Sequence, residues 1–455
     1  MKLLVLDVVG LRPKDLALAP AIRRLAEEGF VAPMRTVLPA VTCSVQATWL
    51  TGKLPREHGI VGNGWYFRDL AQVWLWRQTN QLVQGAKFYE IARRADPAFT
   101  CAKLFWWFNM YADVAHAVTP RPEYHANGLK RPGLYSEPAD LQRQLQAELG
   151  PFPLFQFWGP GADLRSTRWI AEAARWVIER HDPTLCLAYL PHLDYDHQRY
   201  GPDHGASRQA VADVDAVAGK LIELARARGA RVMVLSEYGI EAATRPVFVN
   251  RWLHEQGWLR VQETSHGQLL DAGASRAFAV ADHQIAHVYA QAGADLSALR
   301  RGLASLPGVA AVLDREAQRA EGIDHARSGE LVCVAEPGCW FAYHYWLDEA
   351  RRPDFATTVD IHRKPGYDPT ELFLDPRLRF PKLKIAATLA RKMLGFRYLM
   401  DVIGTDPSIV GGTHGRRFED PALGPVFVDS HRDAAADVVD ACEVHGRILA
   451  ALGSR

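Results

Sequence analysis

LPAVTCSVQATWLTGKLPREHGIVGN, Leu38 to Asn63, is the stretch from which the rest of the chain can be read. Thr42 and Ser44 stand as polar caps at the start of a helical pattern whose buried face is supplied by Val45, Thr48 and Trp49. Gly52, Pro55, Gly59 and Gly62 then punctuate a loop that ends on Asn63. A hydroxyl at a helix start meets free backbone N–H groups and the positive end of the helix dipole, a setting that favours an anion. Thr42 is therefore a candidate nucleophile toward phosphate. A Ser or Thr in such a place is more often only a cap, so the weight comes from residues elsewhere.

Upstream, the apolar run Leu3-Leu4-Val5-Leu6 ends in Asp7 and is followed by a helix-like stretch from Pro20 to Gly29. That is the pattern of a buried parallel strand feeding a crossover. Downstream, Thr184 to Leu190 reads as a second buried strand running into PHLDYDHQRYGPDH, which concentrates Asp194, Asp196, His197, Gln198 and His204 at a strand end. Ser207 to Arg228 is an amphipathic helix, and Arg231 to Leu235 is a third strand ending in Ser236-Glu237-Tyr238-Gly239. Three strands ending in acidic residues, with helices between them, imply an α/β fold around a mainly parallel sheet. The carboxyl ends of such strands line the ligand crevice.

Beyond Pro246 the pattern becomes β-rich, with Asp282, His283 and His287 inside Ser275 to Ala290. We expect one catalytic domain over 1–455, with 251–376 as an inserted, smaller β-containing region. Lys382 to Met400 is helical and basic, which admits peripheral contact with an anionic membrane surface, although a solvated charged face is the commoner use. IVGGTHGR places His414 in a glycine-rich turn, and Asp433 to Leu452 closes the chain as a helix.

A hydrophobic content of 48%, a charged content of 23% and a net charge of +1 describe an ordinary globular chain and give no argument for nucleic acid. The six cysteines are scattered without a C-x-x-C pair, which excludes a disulfide framework and a zinc knuckle. No segment has the length and apolarity of a membrane span, and the N-terminus lacks a signal-peptide pattern, so a cytoplasmic location is expected.

One threonine at a helix start, with Asp7, Asp194, Glu237 and His414 each at a strand end or glycine turn, suits a site for one or two divalent metals. Two cations about 4 Å apart can clamp the attacking and leaving oxygens of an in-line displacement. Asn63 would supply an amide donor to a phosphate oxygen.

On these residues the chain resembles the alkaline phosphatase superfamily in its nucleotide pyrophosphatase/phosphodiesterase (type I phosphodiesterase) branch. The matching pieces are Asp7, PAVTCSVQATWLTGKLPREHGIVGN, LDYDHQRYGP, SEYGI and GGTHGR, in the family's order along nearly the whole chain. The resemblance implies a three-layer α/β/α sandwich and a phosphohydrolase with a small-molecule phosphoryl substrate. It makes Thr42 the nucleophile through a covalent phospho-enzyme, metal-bound with Asp7 and Glu237. Asp194 and His414 match ligands of a second metal, and Asn63 matches the phosphate-contacting amide.

Two family histidines are replaced, one by Gln198 and one by Tyr238. A neutral amide oxygen and a protonated phenol hold Zn²⁺ poorly. Either His197 or the Asp282-His283 pair substitutes, or the ions are Mg²⁺ or Mn²⁺, for which oxygen ligands suffice, or one site is weak. Phosphotransferase or phosphomonoesterase chemistry on the same scaffold is an alternative, and a non-catalytic phosphoryl-ligand binding protein is another. Sulfatase chemistry is discounted, since Thr42-Cys43-Ser44-Val45-Gln46 lacks the proline and arginine of that pattern.

Overall fold

The first strand, β1 (Leu3–Val8), is buried along its whole length, and its alternation shows how the layers are built. Leu4, Leu6 and Val8 enter one apolar cluster, while Leu3 and Val5 enter another on the opposite face. In this computed structural model, which describes every residue except 127–129, 434 and 454–455, helices cover both faces. On the first face lie α1 (Pro20–Glu28), α4 (Leu164–His181) and α6 (Gly205–Ala227). On the second lie α2 (Thr42–Thr51), α3 (Phe88–Ala95) and α8 (Glu443–Leu452). This is the three-layer sandwich.

The remaining strands of the central sheet are β2 (Phe30–Arg35), β3 (Cys101–Leu104), β4 (His116–Pro120), β5 (Leu134–Glu137), β6 (Leu185–Leu190), β7 (Arg231–Leu235), β12 (Val426–Asp429) and β13 (Val439–Asp440). The nine strands run in the order β13-β2-β12-β7-β1-β6-β3-β4-β5. From β7 through β1, β6 and β3 to β4 every pairing is parallel. At one end β12 is antiparallel to both β7 and β2, and at the other β5 is antiparallel to β4. The parallel strands are apolar without alternation, as strands covered on both faces must be.

The span 251–376 carries a separate four-stranded antiparallel sheet, ordered β8-β9-β11-β10, from β8 (Ala277–Asp282), β9 (Ile285–Ala290), β10 (Val309–Leu313) and β11 (Leu331–Ala335). Its core reaches Cys43 and Ala47 of α2, while Val45, Trp49 and Leu50 of the same helix face the central sheet. Helix α2 is thus buried all round, not on one face as its sequence suggests, because it is wedged between two sheets. It ends at Gly52, whose φ of 69° is the left-handed turn that glycine accepts without strain.

Two further expectations are corrected. Thr42 and Ser44 cap nothing: the residue preceding the helix is Val41, and no side chain caps it. The segment after β6 forms a helix, α5 (His192–Tyr200), so Asp194 and Gln198 share one helical face. The closing helix is only Glu443–Leu452, because Val439 and Asp440 extend the sheet beside β2.

Candidate functional site

Asp7, Asp194 and Glu237 arrive at the carboxyl ends of β1, β6 and β7, three adjacent parallel strands. The first turn of α2 points at the same rim. Thr42 Oγ1 donates to Glu237 Oε2 at 2.8 Å and lies 3.3 Å from the Tyr238 hydroxyl. One turn further along α2, Gln46 donates its amide to Asp7 Oδ2 at 2.9 Å and to Glu237 Oε1 at 2.7 Å. Its own oxygen accepts the Trp107 N–H at 2.7 Å. Tyr238 donates to Asp194 Oδ1 at 3.2 Å, and Gln198 donates to Asp194 Oδ2 at 2.8 Å.

The tip of the β8–β9 hairpin completes the cluster. Asp282 pairs with Ile285 across a two-residue turn, and His283 in that turn has a φ of 57°, a conformation that side chains rarely adopt. Asp282 accepts the Asn63 backbone N–H at 2.7 Å and its side-chain amide at 3.1 Å, while Asn63 Oδ1 accepts the Cys43 N–H at 3.0 Å. Asn63 is thereby fixed beside the start of α2. His283 belongs to a stack of four rings, Tyr238 on His414 (3.5 Å, 6°), His414 on His283 (3.7 Å) and His283 on Tyr367 (3.8 Å). Tyr367 also donates to Gln198 Oε1 at 2.7 Å.

Of the sequence-derived site residues, the structure brings together Asp7, Thr42, Asn63, Asp194, Gln198, Glu237, Tyr238, Asp282, His283 and His414. It does not bring in His197, whose ring lies against Gly10 and is influenced by Asp15 and Arg12. Gln198, four places after Asp194, shares its face on α5, while His197 lies beside the segment that follows β1. Gly239 explains the local backbone after Tyr238, since a Cβ there would sit 1.8 Å from the Leu423 carbonyl. Sequence reasoning missed Gln46 and Tyr367. The i,i+4 spacing from Thr42 was a signal for the first. Nothing in the sequence marked the second.

The charges are unusual. Burial pushes Asp194 up to about 6, and Glu237 and Asp282 up to about 7. Burial, reinforced by the nearby charge of Glu237, also holds the Asp7 carboxyl well above its ordinary range. Among the described residues none of these four carboxylates pairs with Lys or Arg; the one ionic neighbour is His414, 3.9 Å from Asp194. Burial lowers His414 to about 3, so its ring is neutral. His414 Nδ1 lies 2.9 Å from the Ala40 carbonyl and so carries the hydrogen, which leaves Nε2 as a bare lone pair.

Two buried acceptors in the cluster have no hydrogen-bond partner, Asp7 Oδ1 and His414 Nε2. Unpaired carboxylates and an orphaned imidazole lone pair are donors that a cation satisfies. Yet the two-zinc set implied by the resemblance does not fit. Gln46 joins Asp7 to Glu237, the Tyr238 hydroxyl stands between Thr42 and Asp194, and among the described residues no three His, Cys, Asp or Glu side chains are arranged around an ion. The donors offered by Asp7, Thr42 and Glu237 are all oxygen.

A cavity of about 390 Å³, lined by Arg93, Phe99, Thr100 and Asp113 among others, is at the opposite end of β3 from this rim. Beside the site lies a narrow cleft of Trp76, Trp158, Lys364 and Tyr367.

Residues 3–368 match the family model described as type I phosphodiesterase/nucleotide pyrophosphatase. Murine ectonucleotide pyrophosphatase/phosphodiesterase 5 is similar in fold, at 15% identity and a TM-score of 0.59 over 100% of this chain and 96% of that one. Phosphonoacetate hydrolase from Sinorhizobium meliloti 1021, in complex with phosphonoformate, is similar at 15% identity and a TM-score of 0.62 over 99% and 96%. An inactive form of the murine protein in complex with AMP aligns at 14% and 0.60 over the same shares as its active counterpart. None of the curated proteins matches the chain. The match over most of its length, on this fold, makes the chain a member of the type I phosphodiesterase/nucleotide pyrophosphatase family of the alkaline phosphatase superfamily, hydrolases of phosphoric ester bonds.

Proposed function

We propose that this chain cleaves a small phosphoryl ester, a diester or pyrophosphate, with Thr42 as nucleophile. The observation that carries the reading is the 2.8 Å hydrogen bond from Thr42 Oγ1 to Glu237 Oε2. An alcohol is a poor nucleophile until its proton has an acceptor, and Glu237, with a pKa near 7, is poised to be one. As Oγ1 bonds to phosphorus, its proton passes to Glu237 Oε2 and the bond from phosphorus to the leaving oxygen breaks. Water then attacks the phosphothreonine and Thr42 recovers its proton. Asn63, held by Asp282, has a second amide hydrogen for a non-bridging phosphate oxygen. The open amides at the start of α2 favour the same charge.

A divalent cation held by Asp7, Glu237 and Thr42 would polarise the phosphoryl group and acidify the alcohol. Oxygen donors replacing imidazole favour Mg²⁺ or Mn²⁺ over Zn²⁺. The AMP bound by the inactive murine relative supports a nucleotide-like ligand.

The test is hydrolysis of aryl phosphodiesters and monoesters with Mg²⁺, Mn²⁺ or Zn²⁺, wild type against Thr42→Ala. Loss of about a thousandfold or more in the variant, with phosphothreonine trapped on the wild type at low pH, is expected. Equal rates in the two proteins overturn the reading. One observation favours a second reading, a binding protein without turnover: the Gln46 amide already bridges Asp7 and Glu237. Calorimetric binding of AMP by a wild type that never hydrolyses an ester would select it.

A further inference from the structure

Residues 376–400 form an arm that leaves and rejoins the body at one place. The Asp375 N–H donates to the Val402 carbonyl at 2.9 Å, and just inside this root Lys384 bonds both the carbonyl and the carboxylate of Asp401. Between these points runs α7 (Pro381–Met393), in which no residue is buried. Its orientation is the reverse of a helix serving the core. Lys384, Ile385, Thr388 and Lys392 are half-buried toward the body, while Leu383, Leu389 and Met393 face out. Met393 is 87% exposed, Leu394 75%, Phe380 71% and Leu383 67%, with Phe396 and Leu399 exposed beyond the helix. Eight of the 18 exposed large apolar side chains described for this chain lie in 380–399, so the patch is concentrated and not scattered.

The charge is as lopsided as the apolarity. Residues 376–400 contain seven Lys and Arg and no Asp or Glu, in a chain whose net charge is +1. Arg377 and Lys384 are paired with Asp375 and Asp401 at the root. Among the described residues Arg379, Lys382, Arg391, Lys392 and Arg397 have no carboxylate partner. Exposed apolar side chains interleaved with unpaired cations match the interfacial region of an anionic bilayer, where the first enter the acyl boundary and the second meet headgroup phosphates. A nucleic acid would use the cations and leave Leu383, Met393, Leu394 and Phe396 in water. No helix among the described residues is long and apolar enough to cross a membrane, so contact is peripheral.

We propose that this arm docks the protein on the surface of an anionic lipid bilayer, with α7 lying in the interface. The root follows the candidate site along the chain: from Tyr367, in the ring stack, the chain passes Asp368 and Glu371, both paired with the buried Lys364, and reaches Asp375.

The test is co-sedimentation of the full chain with vesicles of phosphatidylcholine alone or with phosphatidylglycerol. Binding is expected only with the anionic lipid and is expected to fall as salt is raised. Lys382→Ser/Arg391→Ser/Arg397→Ser is expected to weaken it on the order of a hundredfold, at about 1 kcal/mol per cation. Leu383→Ser/Met393→Ser/Leu394→Ser is expected to abolish it, with unchanged circular dichroism in both variants. Absence of sedimentation at low salt overturns the proposal, as does equal binding by the wild type and both variants. It is also overturned by a wild-type dimer that the apolar variant converts to monomer without any vesicle binding. Ester hydrolysis in solution is a separate readout that none of these substitutions touches, so failure here leaves the Thr42 reading standing, and the reverse.

Discussion

Gln46 ties the site together through one amide group. Both its hydrogens go to carboxylates and its oxygen to the Trp107 backbone. Without it Asp7 and Glu237, two acids held up by burial, have no common donor. Gln46→Ala is expected to lower the stability of the cation-free protein by roughly 1.5–3 kcal/mol, the range for hydrogen bonds to charged groups. It is also expected to increase the gain in thermal midpoint on adding Mn²⁺, because the ion then meets the carboxylates without a competing donor. Differential scanning fluorimetry with and without Mn²⁺ reads both effects; a variant as stable as wild type and no more responsive to Mn²⁺ contradicts the role. At this scale the sequence was partly legible. Thr42, Asp7, Asp194, Glu237 and His414 stand out because strand ends and glycine turns are local signals. Gln46 shares a face with Thr42, but only the tertiary structure shows that both carboxylates converge on it.

Among the elements, β3 carries a lysine that the mechanism does not use. Lys103 is fully buried and donates to the Trp107 and Phe108 carbonyls, each at 2.8 Å. It thus supports the segment that holds Gln46. Burial lowers its pKa from 10.5 to about 7. Between those values the unfolded chain keeps the proton and the native state releases it, so unfolding takes up protons and stability rises with pH. The stabilisation is complete above pH 10.5 and lost as pH falls to about 7. Denaturant unfolding of wild type and Lys103→Met at pH 6.5 and 9.5 should therefore show the wild type gaining on the variant by a few kcal/mol; parallel behaviour would place Lys103 in contact with water. Strands β1, β6 and β7 were readable from their unbroken apolar runs, and Ser275 to Ala290 as β-rich, though not its turn at His283. Helix α5 was not, because Asp194, Asp196 and His197 read as a polar cluster at a strand end with no helical period of apolar residues. The full burial of α2 was hidden as well, since it depends on a second sheet contributed by residues more than two hundred positions away.

For the whole molecule, the α/β class followed from three strands with helices between them, and the sandwich from the resemblance. The order of the sheet was out of reach, because β12 inserts between β2 and β7 from far along the chain. Val426, Phe427 and Val428 are fully buried there. A chain ending before Pro425 exposes facing edges of β2 and β7 and is expected to be insoluble or to lose its near-ultraviolet circular dichroism; a soluble, cooperatively unfolding truncation would show that the sheet closes without β12.

That wedge strand also bears on synthesis. On the ribosome, β2 appears early and its neighbour β12 some four hundred codons later. The gap between β2 and β7 is therefore filled long after β2 has been made, and the nascent polypeptide carries two unzipped edges until then. Chaperone demand during production should follow from this one placement, and a circular permutant that supplies β12 beside β2 from the outset should need less help.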